Sequence, residues 1–286
     1  MANTRELRRR IKSIKNTSQI TKAMQMVAAT KMRRAQNQAT SGRPYSDNLM
    51  ISLGRLLPQI KNKTNALLNN NDSKNVGVLV ISTDKGLVGA LNTNLMRTLV
   101  SAQFSGNNVT FYTVGKKGRS FIARTGKNLK ADFENTDVIV FRQAKQLARL
   151  LVNDFLSKNV GEIYLIYPKF VSTLKQEATT LRLLPIDPNL LNIAEQFELS
   201  KNEYLIEPNP IELLDELLIH FLEIEIYQAL LETKASEHSA RMITMQNATD
   251  NAKDLVSDLT LTYNQTRQAS ITTELLEITT AQVAMQ

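Results

Sequence analysis

From Ile211 to Gln286 the chain runs 76 residues without a glycine or a proline. Those two residues punctuate chains, so their absence over such a length points to continuous helix. As one helix the stretch measures about 114 Å at 1.5 Å per residue, against a usual helix of about 11–12 residues. A helix that long cannot lie on one small core. It must pair with another helix or project into a partner. Its start is well marked: Pro208-Asn209-Pro210 blocks helix upstream, Asn209 can cap, and Pro210 suits the first turn. Leu213, Leu214, Leu217, Leu218, Phe221 and Leu222 then give a broad apolar face. Further on the face thins to Ala235, Met242, Met245, Ala248, Ala252, Leu255 and Leu259. Small and flexible residues at three- and four-residue spacing suit a close helix–helix seam.

The other end behaves alike. No glycine or proline precedes Gly42. Leu7, Ile11, Ile14, Thr21, Ala28, Met32 and Ala35 recur in steps of three, four or seven, with Ser18 and Gln25 at places where apolar residues are expected. Residues 1–44 carry eleven Lys/Arg and one acid, Glu6, whereas residues 211–286 carry four Lys/Arg and twelve Asp/Glu. Either each end meets its own partner or the two ends pair with each other. The simplest reading is an antiparallel two-stranded coiled coil made from the two chain ends.

The middle follows another pattern. Residues 76–82 (VGVLVIS) form a continuous apolar, β-branched run, as in a strand buried on both faces. A Gly-containing loop at 83–90 and a helix at 92–103 follow. Strands are expected at 109–114, 138–141 and 163–167, with helices at 116–124 and 142–156. Residues 173–185 alternate as an edge hairpin would, and the Asn-rich stretch 61–74 reads as a loop. This β-α-β alternation predicts a mostly parallel sheet with helices on its faces. The expected organisation is residues 1–58 as one long helix, 59–207 as an α/β domain and 208–286 as a second long helix. The fold class is α/β, with a long antiparallel coiled coil and an inserted domain.

Composition narrows the chemistry. The chain is 42% hydrophobic and 22% charged, which is not the balance of a disordered chain. It has no cysteine, which removes disulfides, thiolate metal sites and cysteine nucleophiles. No stretch approaches the roughly 20 apolar residues of a membrane span. Gly115-Lys116-Lys117-Gly118-Arg119-Ser120 follows a strand but departs from the phosphate-loop pattern, so it reads as a turn entering a helix. Asp84–Gly89 lacks the glycine spacing of a dinucleotide loop. His220 and His238 are too far apart to share a metal on one helix. Glu274 and Glu277 share a face, yet nothing beside them completes an acid/base pair. Arg8-Arg9-Arg10 with Lys12 and Lys15 suits an acidic protein partner better than nucleic acid, since no aromatic residue precedes Tyr45 for stacking. The residues suggest no catalytic group, metal or cofactor.

Four segments, in order along the chain, resemble F-type ATP synthase gamma subunits. They are Ile20–Gln36 (ITKAMQMVAATKMRRAQ), Ser82–Asn92 (STDKGLVGALN), Ser236–Met242 (SEHSARM) continuing to Ala248–Ala252 (ATDNA), and Arg267–Ile278 (RQASITTELLEI). The resemblance implies a coiled-coil shaft bearing a Rossmann-like domain. It implies a non-catalytic rotor in the bore of a ring of three alpha and three beta subunits, with ATP made or split at beta-subunit sites. By position, Met24, Arg241, Arg267, Gln268 and Thr272 look like the family's contacts with the beta-subunit lever and catch loops. Lys12 and its basic neighbours would face the acidic lever. Tyr204, Ile206 and Glu207, in Tyr204–Pro208, resemble the foot that meets the membrane c-ring, and the globular part would bind the epsilon subunit. No nucleic acid and no direct membrane span are implied. The implied location is the cytoplasmic side of a bacterial cell membrane, held peripherally. The likeness breaks at the end, where Thr279-Thr280-Ala281-Gln282 replaces the family's small-residue segment. A rotor of a diverged F1-like motor without a c-ring stays open beside the synthase reading, as does a basic coiled coil that binds nucleic acid.

Overall fold

The computed structural model describes residues 4–57, 65–102, 104, 108–187 and 209–284, with Arg43 by its backbone alone. In chain order the elements are α1 (Thr4–Leu56), β1 (Val76–Ile81), α2 (Leu91–Ser101), β2 (Val109–Val114), α3 (Lys116–Arg124), β3 (Asn128–Phe133), α4 (Phe141–Leu156), β4 (Glu162–Phe170), β5 (Gln176–Leu184) and α5 (Pro210–Ala284). They divide into two compact units: Met1–Ala29 with Arg241–Gln286, and Thr30–Ala240. The start of α5 is capped as its sequence requires, with the Ile211 amide donating to Asn209 Oδ1 at 3.0 Å.

The first unit is a helix pair. Leu7, Ile11, Ile14, Ser18, Thr21, Gln25 and Ala28 on α1 are buried or half-buried. Their steps alternate four and three. On α5 the same alternation runs through Met245, Thr249, Ala252, Val256, Leu259, Tyr263, Thr266 and Ser270. A strict 3.5-residue repeat is the signature of a left-handed two-stranded coil. Ser18 and Gln25 therefore occupy the seam despite their polarity. Leu255, expected in the seam, lies outside it at 52% exposure. Four residues after Ala252 comes Val256, and the repeat selects it. Beyond Ser270 every described residue of α5 is exposed, including Ile271, Leu275, Leu276, Ile278 and Val283.

The second unit is built on a five-stranded sheet of order β3-β2-β1-β4-β5, parallel except for β5 at one edge. All six residues of β1 are buried. Leu79 and Ile81 face a core shared with α1, α4 and α5, through Leu53, Leu147, Leu151, Leu218 and Leu230. Val76, Val78 and Val80 face the opposite core with Leu95 and Leu99 of α2 and Ile122 of α3. Alternating side chains thus enter two different cores, which is why the run is apolar throughout. The seam of α1 continues with the same spacing through Met32, Ala35, Ala39, Gly42, Ser46, Leu49, Leu53 and Leu56. The helix passes Pro44 unbroken. A proline there costs about 3 kcal/mol, and burial of Leu49, Leu53 and Leu56 offsets it. Two contacts fix the direction of α5 in this unit. Gln228 Nε2 donates to the Ala39 carbonyl at 3.4 Å, and Tyr45 Oη lies 2.8 Å from His220 Nε2. Higher numbers on one helix meet lower numbers on the other, so the pair is antiparallel.

One expected strand is corrected. Residues 138–140 form no strand, and Val138 and Val140 are exposed. The third strand is instead β3, whose NLKADF sequence alternates half-buried and exposed as an edge requires. The expected hairpin at 173–185 is β5 pairing back on β4.

Candidate functional site

The STDKGLVGALN loop of residues 82–92 is shaped by its own side chains. Thr83 and Asn92 bond through Oγ1 and Nδ2 at 2.8 Å, and Leu87 and Gly89 take positive φ of 59° and 56°. The loop sets Val88 and Leu91 against Ala240 of α5. Ser82 anchors the following turn. Its hydroxyl accepts from the Gly118 amide at 2.8 Å, while the Lys116 amide donates to Asp84 Oδ1 at 2.9 Å. The first amides of α3 thus already have acceptors within the protein. The segment Gly115–Ser120 is a packed turn, as its sequence suggested.

From Ala229 to Ala240 every residue of α5 is buried. Ser236 donates to the Pro168 carbonyl of β4 at 2.9 Å, and Ser239 to the Thr173 carbonyl of the β4–β5 turn at 2.6 Å. Lys234 Nζ donates to the Asn135 carbonyl at 3.0 Å and to Glu237 Oε2 at 3.2 Å. Sequence reasoning missed this enclosure. The polar letters of Thr233–Ser239 suggest a solvated face, and only their hydrogen bonds to loops distant in sequence permit the burial.

The six expected contacts for a ring all fall in the helix-pair unit. Lys12 is exposed on α1, and Met24 is half-buried beside the seam. Arg241 is half-buried on α5; Arg267, Gln268 and Thr272 are exposed there. The Thr272 hydroxyl donates back to the Gln268 carbonyl at 2.9 Å, one turn earlier, so the two share a helix face. The foot residues Tyr204, Ile206 and Glu207 lie outside the described residues.

The perturbed titrating groups sit inside the α/β unit. Burial pushes Asp154 upward, but hydrogen bonds from Lys130, Tyr112 and Asn159 outweigh it and hold the carboxyl below its usual range. Burial and that same carboxylate push the Tyr112 phenol well up. Burial, with help from Glu232, raises Glu225 to about 7 against the pull of Lys169. His220 lies 3.3 Å from Glu223 as well as against Tyr45. Asp154, Tyr112 and His220 each have a hydrogen-bond partner within the protein. Among the described residues no three His, Cys, Asp or Glu gather as a metal site would require, and no helix is long and apolar enough to cross a membrane.

Comparison with known proteins accounts for this architecture. The family model for ATP synthase matches residues 3–285. The ATP synthase gamma chain of Methylacidiphilum infernorum is 46% identical over the whole of both chains. That of Roseiflexus castenholzii is 44% identical, covering all of this chain and 99% of the relative. Among solved structures, a chain of the Tetrahymena thermophila mitochondrial ATP synthase central stalk and c-ring superposes with a TM-score of 0.60 at 25% identity, over 80% of this chain and 99% of the other. A chain of the Euglena gracilis mitochondrial ATP synthase shares the fold with a TM-score of 0.68 at 22% identity, over 99% of this chain and 94% of the other. Coil, inserted sheet and full-length likeness agree: this chain belongs to the family of ATP synthase gamma chains.

Proposed function

We propose that this chain is the central-stalk rotor of an F-type ATP synthase, with no catalytic site of its own. It couples proton-driven turning of a c-ring to ATP synthesis or hydrolysis at beta-subunit sites. It works on the cytoplasmic side of a bacterial membrane, held there through the c-ring and the epsilon subunit. The observation that carries this reading is the last part of α5. Residues 271–284 are all exposed, and they include Ile271, Leu275, Leu276, Ile278 and Val283. A helix that leaves this many large apolar side chains uncovered needs a partner to cover them. An alpha-beta ring supplies one. Each angle of the rotor then favours one conformation of a beta subunit over the others, and only such differential contact transmits work. Lys12, Met24, Arg241, Arg267, Gln268 and Thr272 are proposed as the residues in contact with the lever and catch loops.

The test is a gentle affinity capture of the tagged chain from its native membranes, with mass spectrometry of what accompanies it. Two large nucleotide-binding subunits in excess over this chain, together with c-ring protein, are expected. Recovery of the large subunits without the c-ring indicates a motor uncoupled from the membrane. Recovery of neither overturns the rotor reading.

A further inference from the structure

Within the unit Thr30–Ala240, α1, α5 and the loop before α4 enclose a cavity of about 340 Å³. Its lining includes the basic side chains Lys31, Arg34 and Lys234 and a single carboxylate, Asp137. Asp137 is already taken: Lys31 Nζ lies 2.8 Å away. Lys234 is only 3% exposed. An ammonium has three donors, and among the described residues two find acceptors, the Asn135 carbonyl and Glu237. The third has no acceptor in these hydrogen bonds, and Lys234 lines the cavity, where an unmet buried donor bears its full desolvation penalty. The Arg34 guanidinium lies at the same wall, and no described residue forms an ion pair with it. Ala35, Val138, Ile139 and Leu231 make one part of the lining apolar, and Gln38 and His238 complete it. Apolar walls lower the local dielectric and strengthen each charge–charge contact inside.

We propose that this cavity is an anion site for a phosphate group, with Lys234 as its buried donor and Lys31 and Arg34 flanking it. The cavity is larger than one phosphate ion, and the apolar wall offers room for a short organic body. The ligand class is therefore inorganic phosphate or a small phosphate ester. The site belongs to this chain alone and needs no partner subunit.

The full-length chain is titrated by calorimetry with inorganic phosphate and with ribose 5-phosphate, at constant ionic strength. Saturable binding at one site is expected. Loss of one charge-assisted contact in Arg34→Gln or Lys31→Gln should weaken it about tenfold. Lys234→Met should abolish it. Arg34 is exposed, so its variant keeps the test valid even if Lys234→Met fails to fold. Lys15→Gln, an exposed charge in the other unit, should leave binding unchanged. Tighter binding of the ester assigns the apolar wall to an organic body, and equal binding assigns the site to the free ion. No saturable binding up to about 10 mM, or binding indifferent to both Arg34→Gln and Lys31→Gln, overturns the proposal.

Discussion

The hydroxyl of Thr21 on α1 stands 2.7 Å from that of Thr249 on α5, and both residues are buried in the seam. Each hydroxyl also reaches a carbonyl of its own helix, Ser18 at 3.0 Å and Met245 at 2.7 Å. A hydroxyl has one proton, so one threonine donates across the seam while the other donates back. Thr21→Val should cost about 1 kcal/mol, because Thr249 loses its mate. The double Thr21→Val, Thr249→Val variant exchanges both hydroxyls for methyls of like shape and should recover most of that loss. Urea unfolding of the four proteins measures the coupling. A coupling energy below about 0.3 kcal/mol would show the pair to be incidental.

Met24 sits half-buried beside the same seam. A lysine there can carry its charge outward along its stem, so Met24→Lys should change helix content and unfolding little. In the reassembled complex it should keep ATP hydrolysis while proton pumping falls. Unimpaired pumping would remove Met24 from the proposed contacts.

Gly115 stands at φ 98°, and a Cβ there would lie 2.3 Å from the Ser82 carbonyl oxygen. Backbone strain and overlap both oppose any side chain. Gly115→Ala should destabilise the sheet unit by more than about 2 kcal/mol. Thermal unfolding followed by near-ultraviolet dichroism of the tyrosines checks this. Gly126 also has positive φ, 65°, but open space around its Cβ position, so Gly126→Ala should cost only the strain, about 1 kcal/mol.

Glu225 titrates at about 7 rather than the ordinary 4.5, burial being the main cause. Between those values the folded chain holds a proton that the unfolded chain has released. Stability is therefore full below about 4.5 and is lost as pH rises through about 7. Glu225 is half-buried and partly screened by solvent. The loss between about pH 5 and pH 8 should be on the order of 1 kcal/mol. Glu225→Gln should flatten that slope and be the more stable protein at the alkaline end. Equal slopes for both, measured by urea unfolding across the range, would contradict the assignment.

The sequence showed most plainly what depends on local period. The spans of β2 and α3, the cap at Asn209 and the seam through Leu7 and Ala28 follow from turn residues and apolar spacing. Two elements were misread for a common reason. Residues 138–141 look like a strand because valine and isoleucine favour strands, yet Val138 and Val140 point to solvent. β3 looks unlike one because Asn128, Lys130 and Asp132 occupy the open side of an edge. Propensity yields to position in the sheet. Leu255 was misplaced because a three-residue step from Ala252 is as natural as a four-residue one until the whole repeat is counted. The cavity at Lys234 was illegible, since Lys31 and Arg34 on α1 are remote in sequence from Leu231 and Lys234 on α5.

The burial of Ala229–Ala240 has a mechanical consequence. A smooth apolar helix in a greased sleeve could spin about its axis. This one is keyed. Ser236 and Ser239 are fastened to β4 and its turn, Lys234 is fastened to the loop at Asn135, and Ala240 is wedged against Val88 and Leu91. Turning the helix within its housing would strip several buried polar groups at once. A twist applied to the sheet therefore enters α5 without slippage, as through a splined joint, and the same unbroken helix carries it on to Ala284.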